Sequence, residues 1–103
     1  MTSLRVCGVD EVRDGSALRF DVGGNPVCVA HIGDEWFAID DVCSHADFSL
    51  ADGEVWVDEF EIECPKHGAM FSLRTGEPQT LPATVAVSVY PIAVHGDDVM
   101  VEV

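Results

Sequence analysis

Basic residues are scarce in this chain. Its 103 residues include five Lys plus Arg against nineteen Asp plus Glu, a formal net charge of −14 at pH 7 and an isoelectric point near 4.2. A field of that sign repels nucleic acid and anionic lipid, keeps a small protein soluble, and favours salt-sensitive encounter with a basic protein surface. Neither nucleic acid nor a membrane is expected as a partner. No run approaches the ~18 consecutive apolar residues that cross a bilayer. The start, Met1-Thr2-Ser3-Leu4-Arg5-Val6, shows no apolar signal-peptide core, so a cytoplasmic location is expected. There is no flavin or nicotinamide fingerprint, and no repeat, linker or low-complexity segment. The length and a hydrophobic fraction of 48% predict one globular domain over residues 1–103.

Helical periodicity is also missing before residue 40, where Asp10 to Arg13 offers a short turn at most. What is present is strand pattern. Residues 3–9 and 16–22 alternate, with Asp14-Gly15 as a turn between them. Gly23-Gly24-Asn25-Pro26 breaks the chain before Val27–Ile32, and Gly33-Asp34 turns that strand into Glu35–Ile39 as a hairpin. Further strands are predicted at 54–57, 60–63, 70–73, 85–94 and 98–103. The fold class is therefore all-β.

Four cysteines in so short a chain could form a disulfide framework, but a reducing compartment argues against one. Cys7 and Cys28 lie within alternating apolar segments and read as small buried hydrophobes. The other two head the motifs Cys43-Ser44-His45 and, after eighteen intervening residues, Cys64-Pro65-Lys66-His67-Gly68. Each motif pairs a thiolate with an imidazole. Thiolate with imidazole suits zinc or an iron–sulfur centre, not magnesium or calcium. Zinc fingers usually place like ligands side by side. Mixed arms make sense where two irons are held together, one by both cysteines and one by both histidines. A zinc-stapled interaction module using the same four residues is the alternative.

Cys43-x-His45, Cys64-x-x-His67-Gly68, then Phe71, Thr75-Gly76 and Pro82, resemble the Rieske family. The likeness is greatest to the small ferredoxins that feed electrons to bacterial aromatic-ring dioxygenases, and it runs from about Trp36 to the end. It implies a Rieske iron–sulfur fold, small antiparallel sheets with two cluster-binding loops at one end, carrying one [2Fe-2S] cluster per chain. It implies Cys43 and Cys64 as thiolate ligands of one iron, and His45 and His67 as neutral imidazole ligands of the other. Leu81 and Pro82 would shield one side of the centre. By the same resemblance the chain is a soluble, monomeric one-electron carrier rather than an enzyme. It would link a flavin-dependent reductase to a terminal non-heme iron oxygenase and dock through its cluster end, with Phe48, Lys66 and Ala69 around the contact edge. Similar small proteins also serve as nitrite reductase small subunits or accompany iron–sulfur assembly, and the sequence leaves that alternative open.

The loops also bear on reduction potential. High-potential members of the family carry an extra cysteine in each loop and a serine and a tyrosine in the second; here Phe48, Lys66, Ala69 and Phe71 stand in those places. No disulfide can tie the loops, and two hydroxyl donors that would stabilise the reduced centre are absent. A potential near the low end of the Rieske range, about −150 mV, is expected. His31 and His95 have no Cys or His at ligand spacing and read as structural, as do Trp36 and Trp56.

Overall fold

The computed structural model describes residues 2–43, 48–65, 68–80 and 85–103. Among the described residues, nine strands form three antiparallel sheets of three. The central sheet joins β2 (Ser16–Val22), β3 (Asn25–Ile32) and β4 (Glu35–Asp40) in that order. β1 (Ser3–Gly8) pairs with β9 (Asp98–Glu102), which pairs with β8 (Ile92–His95). The third sheet is small: β5 (Val55–Trp56), β6 (Glu61–Glu63) and β7 (Met70–Ser72). A 3-10 turn at Leu50–Asp52 precedes it.

The central sheet is covered on both faces, which explains why β3 reads as an unbroken apolar run. Val27 and Val29 turn one way, into a core with Cys7, Val12, Val99 and Val101; Cys28 and Ala30 turn the other, into a core with Leu50, Ile62, Phe71 and Leu73. β4 splits by the same period of two, with Phe37 and Ile39 facing the second core and Ala38 the first. The second core therefore mortises the small third sheet onto the central one. Cys43 and Cys64 both belong to it.

Arg74 adds a tie across that joint. Its guanidinium forks onto the Glu35 carboxylate at 3.0 and 3.2 Å and lies 4.1 Å from the centre of the Phe60 ring. Phe60 meets Phe37 edge-on at 5.9 Å, and its backbone is left-handed, φ 56°. That conformation is unusual for a residue with a Cβ.

One expected strand is shorter than its pattern. Residues 85–94 alternate, yet regular pairing begins only at Ile92. The preceding stretch divides its hydrogen bonds: Val87 N–H donates to Gly76 C=O, Asp40 N–H to Ser88 C=O, and Tyr90 N–H to Ala38 C=O. Only one isolated bridge, Ile39–Val89, results. Pro91, which lacks an N–H, then interrupts any continuation along β4.

Candidate metal centre

The two cysteine loops are built alike. Cys43 N–H donates to the carbonyl of Phe48 at 3.0 Å, and Cys64 N–H donates to the carbonyl of Ala69 at 2.7 Å. Each cysteine thus enters a loop that closes on the residue five positions later. Both are free of disulfides, and their exposures are 3% and 0%. Gly68, at φ 72°, supplies the left-handed turn that brings the second loop back, and its N–H donates to Cys64 C=O at 3.0 Å.

The first loop is latched from beneath by Asp41. Its N–H donates to Pro26 C=O, its own carbonyl accepts Leu50 N–H at 2.6 Å, and its Oδ1 accepts Ala51 N–H at 3.0 Å. Asp41 is fully buried. It continues the inward series Phe37, Ile39, Asp41, and that parity is the signal by which the sequence could have marked it. Asp40, on the opposite parity, accepts Ser88 N–H at 3.0 Å and Tyr90 O–H at 2.6 Å. This hydrogen bond, with partial burial, pushes the Tyr90 hydroxyl up to about 12. Asp40 thereby ties the strand leading into the first loop to the stretch that follows residue 84.

Gly53 packs directly against the backbone of Glu63, at the entrance to the second loop. A methyl group there would penetrate the Glu63 carbonyl oxygen and lie 2.8 Å from the Glu63 carbonyl carbon. Glu63 immediately precedes Cys64, and its Oε1 accepts the indole N–H of Trp56 at 3.0 Å.

The structure thus brings Cys43 and Cys64 into one buried cluster. His45, His67, Lys66, Leu81 and Pro82 lie outside the described residues. Of the residues expected around the contact edge, Phe48 is 41% exposed. Ala69 is not at that edge. It is fully buried, because it shares the inward parity of Phe71 and Leu73 and its carbonyl closes the Cys64 loop. Cys7 and Cys28 are buried small hydrophobes, and burial pushes both thiols up, with Glu11 and Asp41 respectively adding to the effect. His31 stacks on Trp36 at 4.1 Å, its ring nitrogens 3.0 Å from Val12 O and 2.7 Å from Gly33 O. Trp36 packs beside the first core, whereas Trp56 is a half-exposed flank residue.

The donor chemistry fits an iron–sulfur centre. Two buried, disulfide-free thiols stand at the mouths of matched loops, and each loop carries a histidine in its sequence. Among the described residues no group of three or more His, Cys, Asp or Glu forms another candidate metal site, and no helix is long and apolar enough to cross a membrane.

A family profile described as Rieske [2Fe-2S] domain matches residues 2–91. The chain is 37% identical over 102 residues to the ferredoxin component of biphenyl 2,3-dioxygenase from Rhodococcus jostii, an alignment covering 99% of this chain and 94% of the relative. The ferredoxin of carbazole 1,9a-dioxygenase from Nocardioides aromaticivorans superimposes with a TM-score of 0.95 at 39% identity, covering 98% of this chain and 97% of that one. A structure of the complex of reduced oxygenase and oxidized ferredoxin in carbazole 1,9a-dioxygenase matches with a TM-score of 0.87 at 36% identity, covering 96% of this chain and 91% of that one.

Proposed function

The chain belongs to the Rieske [2Fe-2S] domain family, and from that premise we propose that it is the ferredoxin of a ring-hydroxylating dioxygenase system. It forms a single domain over residues 1–103, and Cys43 and Cys64 hold one iron while His45 and His67 hold the other. When bound, the cluster supplies one-electron chemistry. The protein's own part is to hold the donors and limit water. Cys43 and Cys64, which would bind as thiolates, stand at the starts of loops closed by the Phe48 and Ala69 carbonyls. Leu50, Ile62, Phe71 and Leu73 form the apolar floor around them.

The observation that carries this reading is the matched pair of loops, each opened by a buried cysteine whose N–H donates to the carbonyl five positions later. Relatives of similar length named as dioxygenase ferredoxins support the role of carrier rather than enzyme. The oxygenase is the electron acceptor, by likeness to the carbazole complex, and a flavin-dependent reductase is the donor. The protein works as a monomer in the cytoplasm. Three of its five basic residues, Arg5, Arg19 and Arg74, are engaged in ion pairs with its own carboxylates. The uncompensated acidic surface therefore suits partners with basic docking faces.

The test is optical and paramagnetic. Purified protein should be red-brown, bleach with dithionite, and give the rhombic signal of mixed Cys/His ligation; His67→Ala should lose it. A colourless protein with one zinc per chain, or a His67→Ala protein with the full cluster spectrum, would overturn the ligand assignment. Reduced protein should then be reoxidised by a dioxygenase oxygenase component, more slowly as salt is raised.

A further inference from the structure

The geometry points to Asp41 as a fixed buried charge that, opposed by Arg19, tunes the reduction potential of the centre held by the first loop. This rests on the ligand assignment proposed above.

Asp41 does more than its latch requires. Oδ1 alone holds the Ala51 N–H. Oδ2 is buried, with no hydrogen-bond partner among the described residues. It faces Arg19 Nε at 3.9 Å, beyond hydrogen-bonding distance. Burying a carboxylate oxygen without a donor is costly. An asparagine would keep the Ala51 bond, but only a carboxylate answers the guanidinium that faces Oδ2.

The opposing cation is not equivalent. The Arg19 side chain is half exposed, 51%, and is shared with Asp21 at 3.4 Å. Water and salt screen its field, whereas the Asp41 charge lies in the low-dielectric core. The pair therefore leaves a net negative field two residues before Cys43. Reduction adds one negative charge to the centre, and a fixed negative charge nearby opposes it.

The size of the effect can be bounded. Two extended residues span at most roughly 7 Å between Cα atoms, so the Asp41 charge acts on the site over a scale of about 10 Å. At that distance, an effective dielectric between about 80 and 20 corresponds to roughly a twofold to fifteenfold change in the reduction equilibrium. At 59 mV per tenfold for one electron that is about 20 to 70 mV.

The experiment is protein-film voltammetry of the full-length, cluster-loaded chain and its Asp41→Asn and Arg19→Gln variants, at low and high salt. Iron content and circular dichroism confirm that each is loaded and folded. Asp41→Asn should shift the potential upward by an amount that persists in high salt. Arg19→Gln should shift it downward by an amount that shrinks with salt. A loaded Asp41→Asn protein with the wild-type potential overturns the proposal. So do shifts of the same sign in both variants, which a mechanically loosened loop would produce. Lower stability of cluster-free Asp41→Asn with no change in potential would assign Asp41 to the latch alone and likewise overturn it. Should Asp41→Asn fail to load, Arg19→Gln decides: a salt-sensitive fall supports the proposal, and no shift overturns it. A wild-type protein lacking the iron–sulfur signal would instead remove the ligand assignment itself.

Discussion

Gly53→Ala should separate cluster assembly from folding. Gly53 has an extended backbone, φ −87° and ψ −179°, which any residue can adopt. Its lack of a side chain matters for another reason. A methyl there would enter the Glu63 carbonyl oxygen and lie 2.8 Å from the carbonyl carbon, against an ordinary carbon–carbon contact of about 3.5–4.0 Å. The two chains must part by at least about 1 Å, and Cys64 moves with Glu63. Overpacking of this kind costs about 1–3 kcal/mol, out of a total of about 5–15 kcal/mol for a domain, so the variant should fold. Ligand positions, by contrast, tolerate only about 0.2 Å. Iron content per chain should fall severalfold, while the urea midpoint of the cluster-free protein drops by about 1 M. Gly24→Ala is the control. Gly24 sits at φ 86° with open space around it, so alanine there costs about 1–2 kcal/mol of backbone strain without touching either loop. It should lose comparable stability and keep its iron. Wild-type iron content in Gly53→Ala, or equal loss in both variants, would refute the argument that the contact of Gly53 with Glu63 positions Cys64.

Arg74→Ala removes a half-exposed ion pair and a stacked guanidinium and should cost about 1–2 kcal/mol in urea unfolding; Arg74→Lys should recover only part, since an ammonium cannot fork or stack. The Tyr90 hydroxyl ionises near 10 when unfolded and at about 12 when folded. Its contribution is therefore fully present below pH 10 and is lost as pH rises towards 12. Wild-type stability should fall across that window, and Tyr90→Phe should lack this increment when the two are compared by thermal melts. Ala69→Ser places a hydroxyl beside the Cys64 loop and should raise the reduction potential in voltammetry; an unchanged or lower value would count against the hydrogen-bond account of a low potential.

Local pattern made most strands legible. β2 runs over Ser16–Val22 as the alternation indicates, and the β3–β4 hairpin turns at Gly33-Asp34. The pairing of β1 with β9 was not legible, because nearly the whole chain separates the partners and their periods match many others. Residues 85–91 have a strand's alternation but not its ladder, since their hydrogen bonds are drawn to two different neighbours. Ala69 was expected at the surface from its place in a ligand motif, yet parity with Phe71 puts it in the core. Asp41 belongs to no ligand motif, although the same parity rule, applied to Phe37 and Ile39, turns it inward.

The sequence by itself determined the donors the chain can offer, two cysteines and two histidines in mixed pairs, because ligand type and spacing are covalent facts. It determined the strand content as well, through a period of two that the backbone imposes. Tertiary structure alone decided that the central sheet would be covered on both faces and that Cys43 and Cys64 would share one core. It also decided that Gly53 would meet Glu63 and that Asp41 would face Arg19. Those features depend on which distant segments meet, and no local periodicity encodes that choice.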